Sequence, residues 1–329
     1  MKLENKKVLI TGSEGFIGSH LTEELVKMGA DVTALVQYNS FNSWGWIDSF
    51  DKNIKDVIKV VTGDIREYDN INKIIKGQDV VFHLAALIAI PYSYHSPMSY
   101  IRTNIEGTAM VLESCKNNNI QKIIHTSTSE VYGNPKYVPI DENHSLSGQS
   151  PYSASKIGAD KIVESYHLSY NLPVVTIRPF NTFGERQSIR AIIPTLITQF
   201  LTTKKIKLGN LEISRDFNYI KNTIDGFIKG METDNIFGEV INIGSGEETY
   251  LEELIAILAQ LINTDYDIEY ETIRTRPSKS EVRRLQSEST KAHNLLNWRA
   301  KYSLEEGLVK TIEWYRNNLD KFKTDIYTI

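Results

Sequence analysis

The chain has 329 residues, 41% hydrophobic and 24% charged, with a formal net charge of −4. That length buries a substantial core without covalent staples, and the mild acidity argues against binding nucleic acid, which needs a basic face. One cysteine, Cys115, excludes any internal disulfide and reads as a small buried hydrophobe within a helical pattern.

The elements alternate from the start. Lys7-Val8-Leu9-Ile10-Thr11 is a buried-strand run closed by Gly12, and Ile17, Leu21, Leu25 and Met28 then recur at helical spacing until Gly29. Further strands are predicted over 31–36, 57–61, 79–84, 123–126 and 173–177. Helices are predicted over 70–76 and 99–117, with another opening at Pro151-Tyr152. Strands separated by helices imply right-handed crossovers and a parallel sheet covered on both faces. Beyond Pro179 the rhythm changes to short strands (206–208, 240–243, 268–270) among helices over 192–202, 250–262 and 304–317. The fold class is α/β: a doubly wound parallel sheet with a smaller C-terminal α/β lobe. Residues 1–180 plus about 218–245 form the first unit, and 181–217 plus 246–329 the second. No apolar run approaches the ~18–20 residues of a membrane span, and no export signal opens the chain. A cytoplasmic protein without membrane contact is expected.

Thr11-Gly12-Ser13-Glu14-Gly15-Phe16-Ile17-Gly18 joins the first strand to the first helix. Gly12 permits the tight turn, Gly15 lets a pyrophosphate approach the backbone, and Gly18 lets helix and strand pack closely. The helix N-terminus offers free N–H groups to the phosphates. An acidic residue normally ends the second strand and takes the ribose 2′-OH of NAD. Here the stretch is Val36-Gln37-Tyr38-Asn39-Ser40, with no carboxylate and no arginine for the 2′-phosphate of NADP. Gln37 is neutral to both, so NAD is expected with NADP open.

Tyr152 and Lys156 are four apart at a helix start and share one face. A neighbouring ammonium and a nicotinamide charge are expected to lower the phenol's pKa towards use as a base. Thr128-Ser129-Glu130 follows the fifth strand, at the end that faces the ligand crevice in such folds. Its carboxylate supplies a base for a carbon acid, which simple hydride transfer does not need.

The three-apart glycines and the Tyr/Lys pair resemble the signature of the extended short-chain dehydrogenases/reductases, a Rossmann-like family. The resemblance covers nearly the whole chain. It implies that Phe16 and Ile17 beside the glycines, Asp64 and Ile65 after the third strand, Leu84, Ala85 and Ala86 after the fourth, and Asn104 line the cofactor with Tyr152 and Lys156. Thr128-Ser129-Glu130 is similar to the version in GDP-mannose 4,6-dehydratases. The family then implies a nucleotide-diphospho-sugar 4,6-dehydratase: Tyr152, helped by Thr128, takes the O4 proton as C4 is oxidised. Glu130 removes the C5 proton, water leaves C6 with Ser129, a water or Glu130 relaying the proton, and hydride returns to C6.

Arg178-Pro179-Phe180-Asn181-Thr182-Phe183-Gly184-Glu185-Arg186-Gln187 resembles the family's R-x-x-N-x-Y-G-P-R-Q segment, with Glu185 in place of proline. By that likeness Asn181 meets the diphosphate and Arg186 lies near the nucleotide. Arg215-Asp216-Phe217 and the late Arg276-Pro277 loop add Arg215 and Arg283 as phosphate contacts. The segments Ala89 to Pro97, Gly148 to Tyr152 and Ile189 to Thr195 look like those of legionaminic-acid-pathway dehydratases, which act on nucleotide-linked N-acetylglucosamine. GDP and UDP both stay open, as does a homodimer or homotetramer paired through 99–117 and 152–170. A nucleotide-glucuronate decarboxylase, a C4 epimerase and a non-enzymatic scaffold are the competing readings. No metal site is expected.

Overall fold

The structure, a computed structural model, describes residues 1–203 and 205–324. Its centre is a seven-stranded parallel sheet: β1 (Lys7–Thr11), β2 (Asp31–Gln37), β3 (Lys59–Gly63), β4 (Val80–His83), β5 (Lys122–Thr126), β6 (Val174–Pro179) and β7 (Val240–Ile243). The spatial order is β7-β6-β5-β4-β1-β2-β3. The chain therefore builds outward from β1 to β3, crosses back, and resumes at β4 on the other side of β1. The crevice at the carboxyl ends of β1 and β4 is the switch point where such sheets take ligands.

The uninterrupted apolar strands follow from this layering, because successive side chains point to opposite faces and both faces are covered. Val8 and Ile10 enter one core cluster with Val80, Phe82 and Ile177. Leu9 enters the other with Val81, Ile123, Val174 and the buried Cys115. Helix α1 (Phe16–Lys27) leaves the first turn. Helices α2 (Gly107–Asn117) and α3 (Pro151–Tyr170) follow β4 and β5, and α4 (Ile220–Glu232) packs on β5 and β6. The predicted continuous helix over 99–117 is instead broken by a π-helical turn over Ile101–Glu106, which carries the buried Asn104.

Helix α3 shows local chemistry placing a site. Ser150 Oγ accepts from Ser153 N–H (3.1 Å) and Ser153 Oγ accepts from Ser150 N–H (2.9 Å), a reciprocal cap, with Pro151 opening the helix. The start of α3 is thus pinned where Tyr152 emerges, and Asn171 ends the helix in the left-handed region at φ 53°.

The remaining segments assemble around strand Ser214–Arg215, which pairs antiparallel with Thr249–Tyr250 and parallel with Arg284–Leu285. Strand Lys205–Leu208 pairs parallel with Asp267–Tyr270, and helices Ile192–Thr202, Leu251–Ile262 and Leu304–Arg316 pack together beside them. No described helix is long and apolar enough to cross a membrane.

Candidate active site

The glycine turn is fixed by close approaches. A Cβ on Gly18 would lie 2.0 Å from the Gly12 carbonyl oxygen, and one on Gly12, at φ +74°, would meet the Ala85 backbone at 2.9 Å. Thr11 Oγ1 accepts from the N–H groups of Leu84 and Ala85 (3.1 Å each) and meets His83 Nδ1 at 2.8 Å, locking the ends of β1 and β4 together. Gly15 caps α1 without any side-chain hydrogen bond, and a Cβ there would touch only the Gly12 carbonyl oxygen, at 3.4 Å. Open space over uncapped N–H groups is what a dinucleotide pyrophosphate requires. Phe16 and Ile17 form the first turn of that helix, Phe16 packing edge-on against His20.

Beside the turn, a cavity of about 640 Å³ is lined by Gln37, Gly63, Asp64 and Arg66 among others. Asp64 accepts from Arg66 through both oxygens, which holds its carboxyl below the usual range. Ile65 is buried against Gly107. Asn104 donates to the Leu87 carbonyl (2.9 Å) and to Ser155 Oγ (2.9 Å), and accepts from Leu87 N–H (2.8 Å). It thereby shapes the Leu84-Ala85-Ala86-Leu87 segment from behind. These features fit an adenine dinucleotide.

At the carboxyl end of β5, Thr128 caps a short 3₁₀ turn by accepting from Glu130 N–H (3.2 Å), with Ser129 buried inside the turn. Tyr152 is buried with the Thr128 side chain close to its phenol, and its ring packs edge-on against Tyr100 at 6.3 Å. The expected lowering of its phenol is reversed in this state: burial raises it, opposed by Thr128 and reinforced by the negative charge of Glu130. The Lys156 ammonium donates to the Thr126 carbonyl (2.7 Å). Burial brings Lys156 down to about 8, Asp160 opposing.

Behind this row lies a buried network unforeseen from the sequence. Asp160 accepts from Ser127 Oγ (2.7 Å) and Arg178 Nη2 (2.9 Å) and pairs with His125 Nε2 (3.1 Å). Burial works against its ionised form, but His125, Arg178 and Lys156 outweigh it and hold the carboxyl well below the usual range. Only the periodicity of α3, which turns Asp160 to the same face as Lys156, signalled it.

The expected phosphate residues divide. Arg215 is buried, its electrostatic neighbours being Glu130, Arg276 and Glu281. One oxygen of Glu281 lies 3.6 Å from Arg215 and 3.5 Å from Arg276. Asn181, in register with Phe217 on the neighbouring short strand, keeps a buried Oδ1 without a donor among the described residues. Arg283 contributes its backbone here, its carbonyl accepting from Ser214 N–H (2.9 Å), while its side chain is exposed. Arg186 is drawn elsewhere: it pairs with Glu23 of α1 at 2.6 Å and sits over the Phe50 ring, so the structure does not bring it to Arg215. The arginine beside Arg215 is instead Arg276. Glu281 and Arg276 lie more than sixty residues from Arg215, a contact that no local pattern encodes.

The late loop is stitched over the site. Ser280 Oγ donates to the Gln149 carbonyl (2.5 Å) and meets Tyr94 Oη (2.6 Å), and Asn134 Oδ1 accepts from Arg283 N–H (2.7 Å). Among the described residues no cluster of metal-ligating side chains occurs.

Comparison with known proteins agrees with this geometry. A family model described as GDP-mannose 4,6 dehydratase matches residues 9–311. A putative UDP-glucose 4-epimerase of Methanocaldococcus jannaschii is 32% identical, over 94% of this chain and 99% of the relative. The human dTDP-D-glucose 4,6-dehydratase is 30% identical, over 97% and 92%. Among solved structures, the dTDP-glucose 4,6-dehydratase DesIV of Streptomyces venezuelae, with NAD and TYD bound, superposes with a TM-score of 0.86. It is 27% identical, with 96% and 98% of the two chains covered.

Proposed function

The chain belongs to the GDP-mannose 4,6 dehydratase family of nucleotide-sugar dehydratases and epimerases, and on that premise we propose that it is an NAD-dependent nucleotide-sugar 4,6-dehydratase. The observation that carries this reading is Glu130. Its carboxylate follows Thr128 at the carboxyl end of β5 and is close enough for its charge to act on both the Tyr152 phenol and the Arg215 guanidinium.

NAD, when bound, supplies the acceptor and donor of hydride. Gly12, Gly15 and Gly18 with the first turn of α1 hold its diphosphate, the cavity at Gln37 and Asp64 its adenosine, and Asn104 the loop beneath its other end. Tyr152 takes the proton from the sugar O4, oriented by Thr128, and Lys156 favours the phenolate by its charge. A C4 ketone acidifies the C5 proton, which Glu130 removes. The C6 hydroxyl then leaves as water, protonated by Ser129, a bound water or Glu130 itself. Arg215 and Arg276 hold the diphosphate, with Asn181 beside them.

The sugar of this proposal is N-acetylglucosamine linked to GDP or UDP, for a legionaminic-type surface glycan, on the strength of the loops Ala89 to Pro97, Gly148 to Tyr152 and Ile189 to Thr195. The proposal extends to a cytoplasmic homodimer or homotetramer, with residues 181–217 and 246–329 as the sugar lobe. A C4-epimerase reading draws on the 32% identical relative, but epimerisation at C4 gives Glu130 no proton to remove from C5. Glu130→Gln tests the point: it is expected to keep NAD and substrate binding while losing exchange of the C5 proton with solvent. Unchanged exchange would overturn the role of Glu130.

A further inference from the structure

The end of β2 lacks the carboxylate that ordinarily receives the adenosine ribose, but the structure delivers one there from another segment. Glu14, inside the glycine turn, reaches across so that its Oε1 accepts from the backbone N–H of Gln37, the last residue of β2, at 2.9 Å. Its Oε2 is buried and has no donor among the described residues. Burial accordingly raises the carboxyl above its ordinary value, against the Gln37 bond and the bond from its own N–H.

The segment after β2 holds Glu14 in place. Trp46 N–H donates to the Glu14 carbonyl (3.1 Å). Gly45 adopts φ +57°, and a Cβ there would come within 2.9 Å of the Glu14 Cβ, so only glycine lets the loop close over it. Asn39 Oδ1 accepts from the N–H groups of Phe41 and Ser43, turning the chain back towards the glycine loop. A glutamate pinned at both main chain and side chain, with acceptor capacity left over, suits a ligand that brings donors.

We propose that Glu14 receives the adenosine ribose hydroxyls and makes this site select NAD over NADP. This rests on the dinucleotide reading above. A ribose diol offers two O–H donors to the unfilled carboxylate, and hydrogen bonds to a charged acceptor are among the stronger ones. A 2′-phosphate offers little but added negative charge. The neighbouring cavity strengthens the bias: Asp64, Glu67 and Asp69 line it against Arg66 and Lys73, and Arg66 is already engaged with both oxygens of Asp64.

The experiment is direct binding of NAD⁺ and of NADP⁺ to the full chain, by calorimetry, for the wild type, Glu14→Gln and Glu14→Ala. The ratio of the two dissociation constants is the readout, because a partly misfolded variant loses binding-competent fraction without changing that ratio. The wild type is expected to prefer NAD⁺ by ~100-fold or more, and both variants to lose at least ~10-fold of that preference. Binding of both dinucleotides with the same ratio in all three proteins would overturn the proposal and leave the catalytic reading standing. Failure of the wild type to bind either dinucleotide would overturn both.

Discussion

Tyr152 and Lys156 sit four residues apart near the start of α3, and burial acts on the ionisation of both. The phenol is raised by burial and by Glu130, and the ammonium is turned onto the Thr126 carbonyl. Both follow from how β5 and α3 pack, which spacing does not report. Tyr152→Phe is expected to lower kcat by ~10²–10⁴ while leaving NAD affinity intact, measurable by steady-state kinetics beside calorimetry. Lys156 supplies a pH test. Burial lowers it to about 8, so between pH ~8 and its unfolded value of ~10.4 the unfolded chain binds more protons than the folded one, and stability rises with pH across that window. Below pH ~8 the cost of burying the charge is present in full. Lys156→Met is expected to remove that rise, worth on the order of 3 kcal/mol, in denaturant titrations at pH 7.5 and 10.5. Arg215→Met is expected to raise the sugar-nucleotide KM by ~10–100-fold without changing NAD affinity.

At the scale of elements, the strands and their parallel order could be read from apolar runs between helical patterns, because both faces of the sheet are covered. The π-helical turn at Ile101–Glu106 could not: its apolar pattern is that of an ordinary helix, and the bonds that its Asn104 makes to Leu87 and Ser155 are long-range. Nor was the pairing of Arg186 legible, since its partner Glu23 lies on α1. Two predictions belong here. Asp160 ties α3 to β5 and β6 through His125, Ser127 and Arg178. Asp160→Asn leaves a buried guanidinium uncompensated and is expected to cost ~3–5 kcal/mol in denaturant unfolding. Gly18→Ala forces a methyl to within 2.0 Å of the Gly12 carbonyl oxygen. It is expected to cost at least ~1–3 kcal/mol and to abolish NAD binding, read by thermal unfolding with and without NAD.

For the molecule as a whole, the net charge of −4 carries no information about an anionic ligand. Arg215 and Arg276 concentrate positive charge at one point, sharing Glu281, while Asp64, Glu67 and Asp69 line the cavity beside Gln37, to whose N–H Glu14 is bonded. In the proposed reading the first takes a sugar diphosphate and the second an unphosphorylated ribose. In that reading Tyr152, Thr128 and Glu130 are the set that makes the reaction a dehydration. The measurement that tests this most directly is mass spectrometry of the products after incubation with NAD and GDP- or UDP-linked N-acetylglucosamine. The account predicts a product lighter than its substrate by one water, with NAD recovered unchanged. A product of unchanged mass whose sugar is inverted at C4 would contradict it.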